Sequence, residues 1–247
     1  MINDAGYLPG TIVVAPGGRV TWSSVGANPH TVTSDEGLFD SGTLNKKGRF
    51  DITAPSATGT YAYHCTFHAF MHGAVVVSTL TLEGPKKAVL LGKAATVRGA
   101  VPGGAAGTPV TVESYVKGVW TPVASTVLAA GGTFRAPVRG LKANASLRAS
   151  VGADISPSVN VLLAPKVTLK RTGKRALRVT VTPKKAGKAK LQRLNTDTFR
   201  WKSVRTVRIT RAGRAKVRVP KAGGVFRVTV LATKKLAAGE SRSLRFR

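Results

Sequence analysis

The sequence predicts an all-β chain, and three observations predict it: runs that alternate apolar and polar residues, Gly, Pro and Asn between those runs, and no sustained apolar period of 3.6 residues to suggest helices. Alternation is plain in Thr11-Ile12-Val13-Val14, Arg19-Val20-Thr21-Trp22, Thr60-Tyr61-Ala62-Tyr63, Leu177-Arg178-Val179-Thr180-Val181 and Lys216-Val217-Arg218-Val219. Successive side chains of a strand face opposite ways, so each run has one apolar face to bury. The 247 residues exceed what one compact domain usually needs, and 43% hydrophobic residues are enough to fold them.

Charge divides the chain. Residues 1–83 carry 4 basic and 6 acidic residues, 84–165 carry 9 and 2, and 166–247 carry 26 and 2, so the net values run −2, +7 and +24. The changes fall at Gly84-Pro85-Lys86-Lys87 and Ala164-Pro165-Lys166, where proline interrupts any continuing strand. These breaks predict three domains: 1–83, 84–165 and 166–247. The second and third read as repeats. Trp120-Thr121-Pro122-Val123 recurs as Trp201-Lys202-Ser203-Val204, and Leu147-Arg148 as Phe226-Arg227. A period near 80 residues with about seven short strands fits two immunoglobulin-like sandwiches in tandem.

The first domain carries the chemistry. Tyr63-His64-Cys65-Thr66-Phe67-His68-Ala69-Phe70-Met71-His72 sets a thiol, an imidazole and a thioether at i, i+3 and i+6, and His30 lies 35 residues before Cys65 in Asn28-Pro29-His30-Thr31-Val32. Two His, one Cys and one Met are the donor set of a trigonal copper site with a weak axial ligand. Thiolate and thioether favour Cu(I), while imidazole serves both oxidation states. One cysteine excludes an internal disulfide and any zinc site built from several cysteines.

Residues 1 to about 80 resemble a small cupredoxin of the plastocyanin and amicyanin group. The resemblance rests on an ordered series: Tyr7-Leu8-Pro9-Gly10-Thr11-Ile12-Val13-Val14, Gly18-Arg19-Val20-Thr21-Trp22, Pro29-His30-Thr31-Val32-Thr33, Phe39-Asp40-Ser41-Gly42 and Gly59-Thr60-Tyr61-Ala62-Tyr63-His64-Cys65. The Cys-x-x-His-x-x-Met spacing is that of the amicyanin loop. The resemblance implies a Greek-key sandwich holding one type 1 copper on His30, Cys65 and His68 with Met71 axial, and electron exchange with redox partner proteins. It also implies export, and the short segment before Ile2-Asn3-Asp4 predicts an upstream start that supplies a secretory leader. The loop departs from the group at Phe67 and Ala69, where prolines are common. Both positions keep an N–H, and if that of Phe67 reaches the Cys65 sulfur it should raise the reduction potential.

The neighbouring residues have plainer readings. Trp22, Tyr61 and Tyr63 read as core, Phe67 and Phe70 as an apolar collar around the metal, and Asn28 as either a tether between ligand loops or a turn residue. His64 should face away from Cys65 by strand alternation, and neither it nor His72 is read as a ligand. Four histidines cannot furnish a blue site plus the histidine-rich second centre of a multicopper oxidase or copper nitrite reductase, so the chain reads as a carrier rather than an enzyme. The excess charge of 166–247 implies an anionic partner, read as a cell-wall polymer or membrane surface. That segment lacks the stacking aromatics and recognition helix of sequence-specific nucleic-acid binding. No stretch approaches the roughly 18 apolar residues of a transmembrane helix. The resulting expectation is an exported electron carrier, extracellular, at the cell surface or periplasmic; the alternative is a copper-storing or adhesive surface protein.

Overall fold

The structure, a computed structural model, describes residues 1–184 and 187–246. Lys185, Ala186 and Arg247, all within the basic 166–247 segment, lie outside the described residues. The all-β prediction holds: apart from one 3-10 turn at Ala130–Gly132, every regular element among the described residues is a strand. These residues group into two compact units, Met1–Gly84 with Thr96–Ala136 and Ser146–Val159, and Pro85–Ala95 with Pro137–Ala145 and Asn160–Arg247.

Eight strands build the part of the first unit that contains the ligand candidates: β1 (Ile2–Asn3), β2 (Gly6–Tyr7), β3 (Thr11–Val14), β4 (Arg19–Ser23), β5 (Thr33–Ser34), β6 (Arg49–Thr53), β7 (Gly59–Cys65) and β8 (His68–Val77). Four form a mixed sheet in the order β3-β8-β7-β5, in which β3 runs parallel to β8 and the other pairs are antiparallel. β4 pairs with β6, and β1 with β2. Alternation decides what is buried. Val20 and Trp22 of β4, Tyr63 and Cys65 of β7, and Met71, Val75 and Val77 of β8 all turn into one core, where Ile2 and Val32 join them.

At the centre of that core stands an aromatic group. Trp22 and Tyr63 meet edge to face with ring centroids 5.3 Å apart, and Tyr7 meets Tyr63 in the same way at 4.8 Å. The Trp22 Nε1–H donates to the Tyr63 hydroxyl at 3.2 Å, so the buried phenol oxygen has a partner where an unpaired one would cost stability. Burial pushes the Tyr63 phenol above its usual range, which keeps it neutral.

The remaining strands repeat one pattern. β9 (Thr81–Glu83), β10 (Val89–Leu90), β11 (Ala95–Ala100), β12 (Pro109–Val116), β13 (Val119–Val127), β14 (Thr133–Val138), β15 (Ala145–Val151), β16 (Asp154–Ile155), β17 (Val159–Val161) and β18 (Leu163–Ala164) include the sheets β14-β11-β9 and β13-β12-β15-β16. β19 (Lys166–Gly173), β20 (Ala176–Thr182), β21 (Gly187–Leu194), β22 (Trp201–Ile209), β23 (Arg214–Arg218), β24 (Gly224–Val230), β25 (Gly239–Glu240) and β26 (Leu244–Phe246) form β19-β20-β23 and β22-β21-β24-β25. These two sheets of the first set each have a counterpart of the same order in the second, while β10 and β18 form a further two-stranded parallel sheet. The sequence echo between Trp120 and Trp201 therefore marks equivalent strands, β13 and β22. Arg148 lies over the Trp120 ring at 4.4 Å, and Arg227 over Trp201 at 4.5 Å.

Gly73 of β8 sits opposite Tyr63 of β7, and a Cβ there would run into the Tyr63 ring. That ring is braced by Trp22 and Tyr7 and cannot move aside. Gly73→Ala should therefore lower the stability of the first unit by about 1–3 kcal/mol, the usual range for overpacking, read as an earlier thermal transition in near-ultraviolet circular dichroism.

Candidate metal centre

The geometry of the centre starts from a register shift. Along β7 and β8 the pairs run Gly59 with Val77 through His64 with His72, and then Cys65 pairs with His68. Ala69, Phe70 and Met71 are thus left without partners on β7. Such bulges bend a strand and re-aim its side chains. Here the bulge brings His68 Nδ1 to 3.5 Å from the Cys65 sulfur and sends Met71 into the core that also holds Cys65. Met71 is 1% exposed, Cys65 2%.

His30 arrives from the other side. Its backbone is pinned to Leu44 by a pair of hydrogen bonds, from His30 N–H at 3.1 Å and to His30 C=O at 2.7 Å. Its ring, fully buried, lies 5.0 Å from that of His68 between centroids. The ligand atoms of His30, Cys65 and His68 all fall within 4.8 Å of one another, a spacing that could hold one metal ion. Three of the four predicted ligands are therefore gathered at one point, and Met71 is buried in the adjoining core.

Asp4 sets the chemistry of His30. Its carboxylate accepts the N–H groups of Ala27 and Asn28, both at 3.0 Å, and lies 3.1 Å from His30 Nε2. The backbone bonds from Ala27 and Asn28, with a smaller contribution from His30, hold the Asp4 carboxyl below its usual range, so it is an anion at neutral pH and accepts from Nε2–H. The other ring nitrogen, Nδ1, is then a lone-pair donor. It is buried and has no hydrogen-bond partner in the protein. A buried nitrogen with no partner is costly unless something else coordinates it, and a metal ion held with Cys65 and His68 would do so. Gly26 makes room for this pair: a Cβ there would lie 2.7 Å from His30 Nε2 and closer still to Asp4.

Thr31 joins the two ligand segments. Its N–H donates to the Cys65 sulfur at 3.3 Å, its Oγ1 accepts the Thr66 N–H at 2.9 Å, and its carbonyl accepts the Tyr7 hydroxyl at 2.6 Å. Burial first, and the neighbouring Cys65 second, push the Tyr7 phenol up, so it remains a donor. The expected bond from Phe67 to Cys65 is absent among the described residues. Phe67 lies in the two-residue turn between Cys65 and His68, and the sulfur takes its backbone hydrogen bond from Thr31 instead.

The surrounding predictions fare unevenly. His64 points away from the sulfur to Asp35, 2.6 Å from its Nδ1, and His72 Nε2 bonds the Ala69 carbonyl at 2.8 Å. Trp22 and Tyr63 are buried and Tyr61 is packed against the core. Phe67 and Phe70, 55% and 65% exposed, do not seal the centre as a collar; they stand beside half-buried His68 as an apolar rim. Asn28 contributes its backbone N–H to Asp4, a tie to the first hairpin rather than between the two ligand loops. Asp4, Gly26, Thr31 and Thr66 were not singled out from the sequence. Only the Asn28-Pro29-His30-Thr31 context hinted at Thr31, and no local pattern links Asp4 to a ligand 26 residues away.

Residues 1–77 form a cupredoxin-like domain: the family model described as "Cupredoxin-like domain" matches them. The amicyanin of Paracoccus denitrificans is 41% identical over 69 residues, which is 26% of this chain and 52% of that protein, so the chain spans about half the length of the curated relative it matches. Among solved structures, the Cu(I) form of an amicyanin point mutant is 32% identical, covering 31% of this chain and 79% of the other with a TM-score of 0.29. A tetra-tandem repeat from the extending region of a large adhesion protein is 13% identical, covering 94% of this chain and 68% of the other, with a TM-score of 0.30.

Because Asp4 fixes which nitrogen of His30 is free, Asp4→Ala should weaken metal binding by about 10–100-fold, the usual effect of losing a group that orients a ligand. Competition with a chromophoric chelator measures it. Thermal unfolding of the same variant without metal separates lost orientation from lost folding.

Proposed function

We propose that the chain is an exported, copper-binding electron-transfer protein whose first domain carries one type 1 centre. The observation that carries this reading is the buried, partnerless His30 Nδ1 in a residue whose ligand atom clusters within 4.8 Å of those of Cys65 and His68. His30, Cys65 and His68 would hold the metal, with Met71 as the weak fourth donor. Bound there, copper supplies a one-electron couple between Cu(I) and Cu(II). The protein's part is to keep the donors still. Thr31 N–H, the Leu44 pair and Asp4 hold the sulfur and the His30 ring in place whichever oxidation state is present, so little rearrangement accompanies electron exchange. His68, half-buried beside the exposed ring of Phe70, brings one ligand to the surface. The similarity to amicyanin supports this reading, and a partner would dock against that rim.

The two repeats that follow read as immunoglobulin-like sandwiches serving as spacer and anchor. The +24 on residues 166–247 is more than solubility requires and costs self-repulsion, which an anionic cell-wall polymer or membrane surface would relieve. No helix among the described residues is long and apolar enough to cross a membrane. Retention on a charged envelope fits a carrier that works outside the cell.

One equivalent of Cu(II) should turn the full-length protein intensely blue, and Cys65→Ala should remove the colour while leaving the fold intact by circular dichroism. A colourless wild-type adduct would overturn the type 1 assignment. Met71→Leu should keep the colour and shift the reduction potential in protein-film voltammetry, whereas a methionine that only packs would leave the potential where it was. Retention of the full chain on isolated cell envelopes should fall steeply between low and physiological salt, where exposed charges are screened beyond about 8 Å.

A further inference from the structure

The outer face of the β19-β20-β23 sheet is a plate of cations without counter-charges. The inner residues of these strands, Val167, Leu177, Val179, Val181, Ala215 and Val217, are buried in the core of the second unit. The outward residues alternate with them. Lys170 stands directly opposite Arg178, and Arg178 directly opposite Lys216, so three cations line up across three neighbouring strands. Lys166, Arg214 and Arg218 lie on the same face, all exposed. No carboxylate pairs with any of the six among the described residues. Like charges directly opposite each other destabilise a sheet, and this sheet carries them in a row.

The other repeat shows that the fold does not require it. At the equivalent place in the β14-β11-β9 sheet, Arg98 stands opposite Glu83, an opposite-charge pair. A second exchange runs the same way. Arg148 stands opposite Glu113 on β12 with an ion pair of 2.8 Å, whereas Arg227 stands opposite Gln192 on β21 and takes its ion pair from Glu240 on β25 instead. The two repeats keep one strand order, and at both positions the last one has a lysine or glutamine where the other has an acid.

We propose that this face docks a linear, flexible phosphodiester chain without bases, laid along the sheet. The proposal rests on the reading of residues 166–247 as an anchor, and it names the face and the chemistry. Guanidinium forks at Arg178, Arg214 and Arg218 match phosphate oxygens, and lysines between them add point charges. On β23 the cations Arg214, Lys216 and Arg218 recur every second residue, about 6.8 Å, a step comparable to one extended phosphodiester repeat. Among the described residues the face carries no aromatic ring on which a nucleobase would stack, only Thr168, Thr180 and Thr182 between the charges, and no exposed large apolar side chain to enter a bilayer.

The test uses the full chain, synthetic poly(glycerol phosphate), a DNA duplex and anionic phosphatidylglycerol vesicles, all at equal phosphate. Two double variants with the same net charge are compared, Lys170→Glu with Lys216→Glu on the proposed face, and Lys188→Glu with Lys190→Glu on the other sheet. The first should weaken poly(glycerol phosphate) binding roughly tenfold or more at low salt and reduce the salt dependence by about one to two phosphate contacts. The second should leave binding within about threefold of wild type, since its cations lie outside the face. The first variant should melt no lower than wild type, because it replaces like-charge neighbours with opposite ones. Equal weakening by both variants would show that net charge alone binds, and wild type preferring DNA or vesicles would assign the face to another partner; either result overturns the proposal. Binding to isolated envelopes without binding poly(glycerol phosphate) would overturn this proposal and leave the anchor, whereas binding to neither would remove both.

Discussion

Much of the centre depends on one residue. Thr31 gives its N–H to the Cys65 sulfur, takes the Thr66 N–H on its hydroxyl and offers its carbonyl to Tyr7. Three segments far apart in the chain, the β1–β2 hairpin, the His30 segment and the Cys65 turn, are thereby fixed to each other. A ligand set drawn from two loops is only as stiff as the tie between them, and a tie made of short hydrogen bonds in a buried place exchanges poorly with water. Tyr7 belongs to the same aromatic group as Tyr63 and Trp22, so the tie is anchored in the hydrophobic core.

A second constraint acts on protonation rather than position. Asp4 reaches His30 from the first hairpin, and Gly26 leaves the space for it. A neutral imidazole has one donor and one acceptor nitrogen, and whichever nitrogen meets the carboxylate becomes the donor. The same ion that orders the Ala27-Asn28 backbone therefore selects the nitrogen that faces Cys65. Opposite it, the unpaired Ala69–Met71 segment turns His68 towards the sulfur and Met71 into the core that holds Cys65, a rearrangement that unbroken pairing of β7 and β8 would forbid.

The two repeats show how separable a sheet's faces are. Their inner faces answer to packing, and both repeats keep one strand order. Their outer faces answer to solvent and partners. Glu83 opposite Arg98 in one and Lys170 opposite Arg178 in the other are compatible with the same architecture, because the core on the reverse side absorbs the modest cost of the repulsion.

The sequence by itself determined the all-β class, the repeat of about 80 residues, the charge gradient and the grouping of His30, Cys65, His68 and Met71 as candidates. Each of these is a matter of spacing: alternation separates the two faces of a strand locally, and Cys65 and His68 are close whatever the rest of the chain does. Strand alternation also foretold that His64 would face away from the sulfur. Only the tertiary structure decided that Asp4 orients His30, that Thr31 rather than Phe67 bonds the sulfur, that Phe67 and Phe70 lie open, and that Lys170, Arg178 and Lys216 form one row. Those facts depend on which strands pair and in what register, and register is set by long-range burial and hydrogen bonding, which no window along the chain contains.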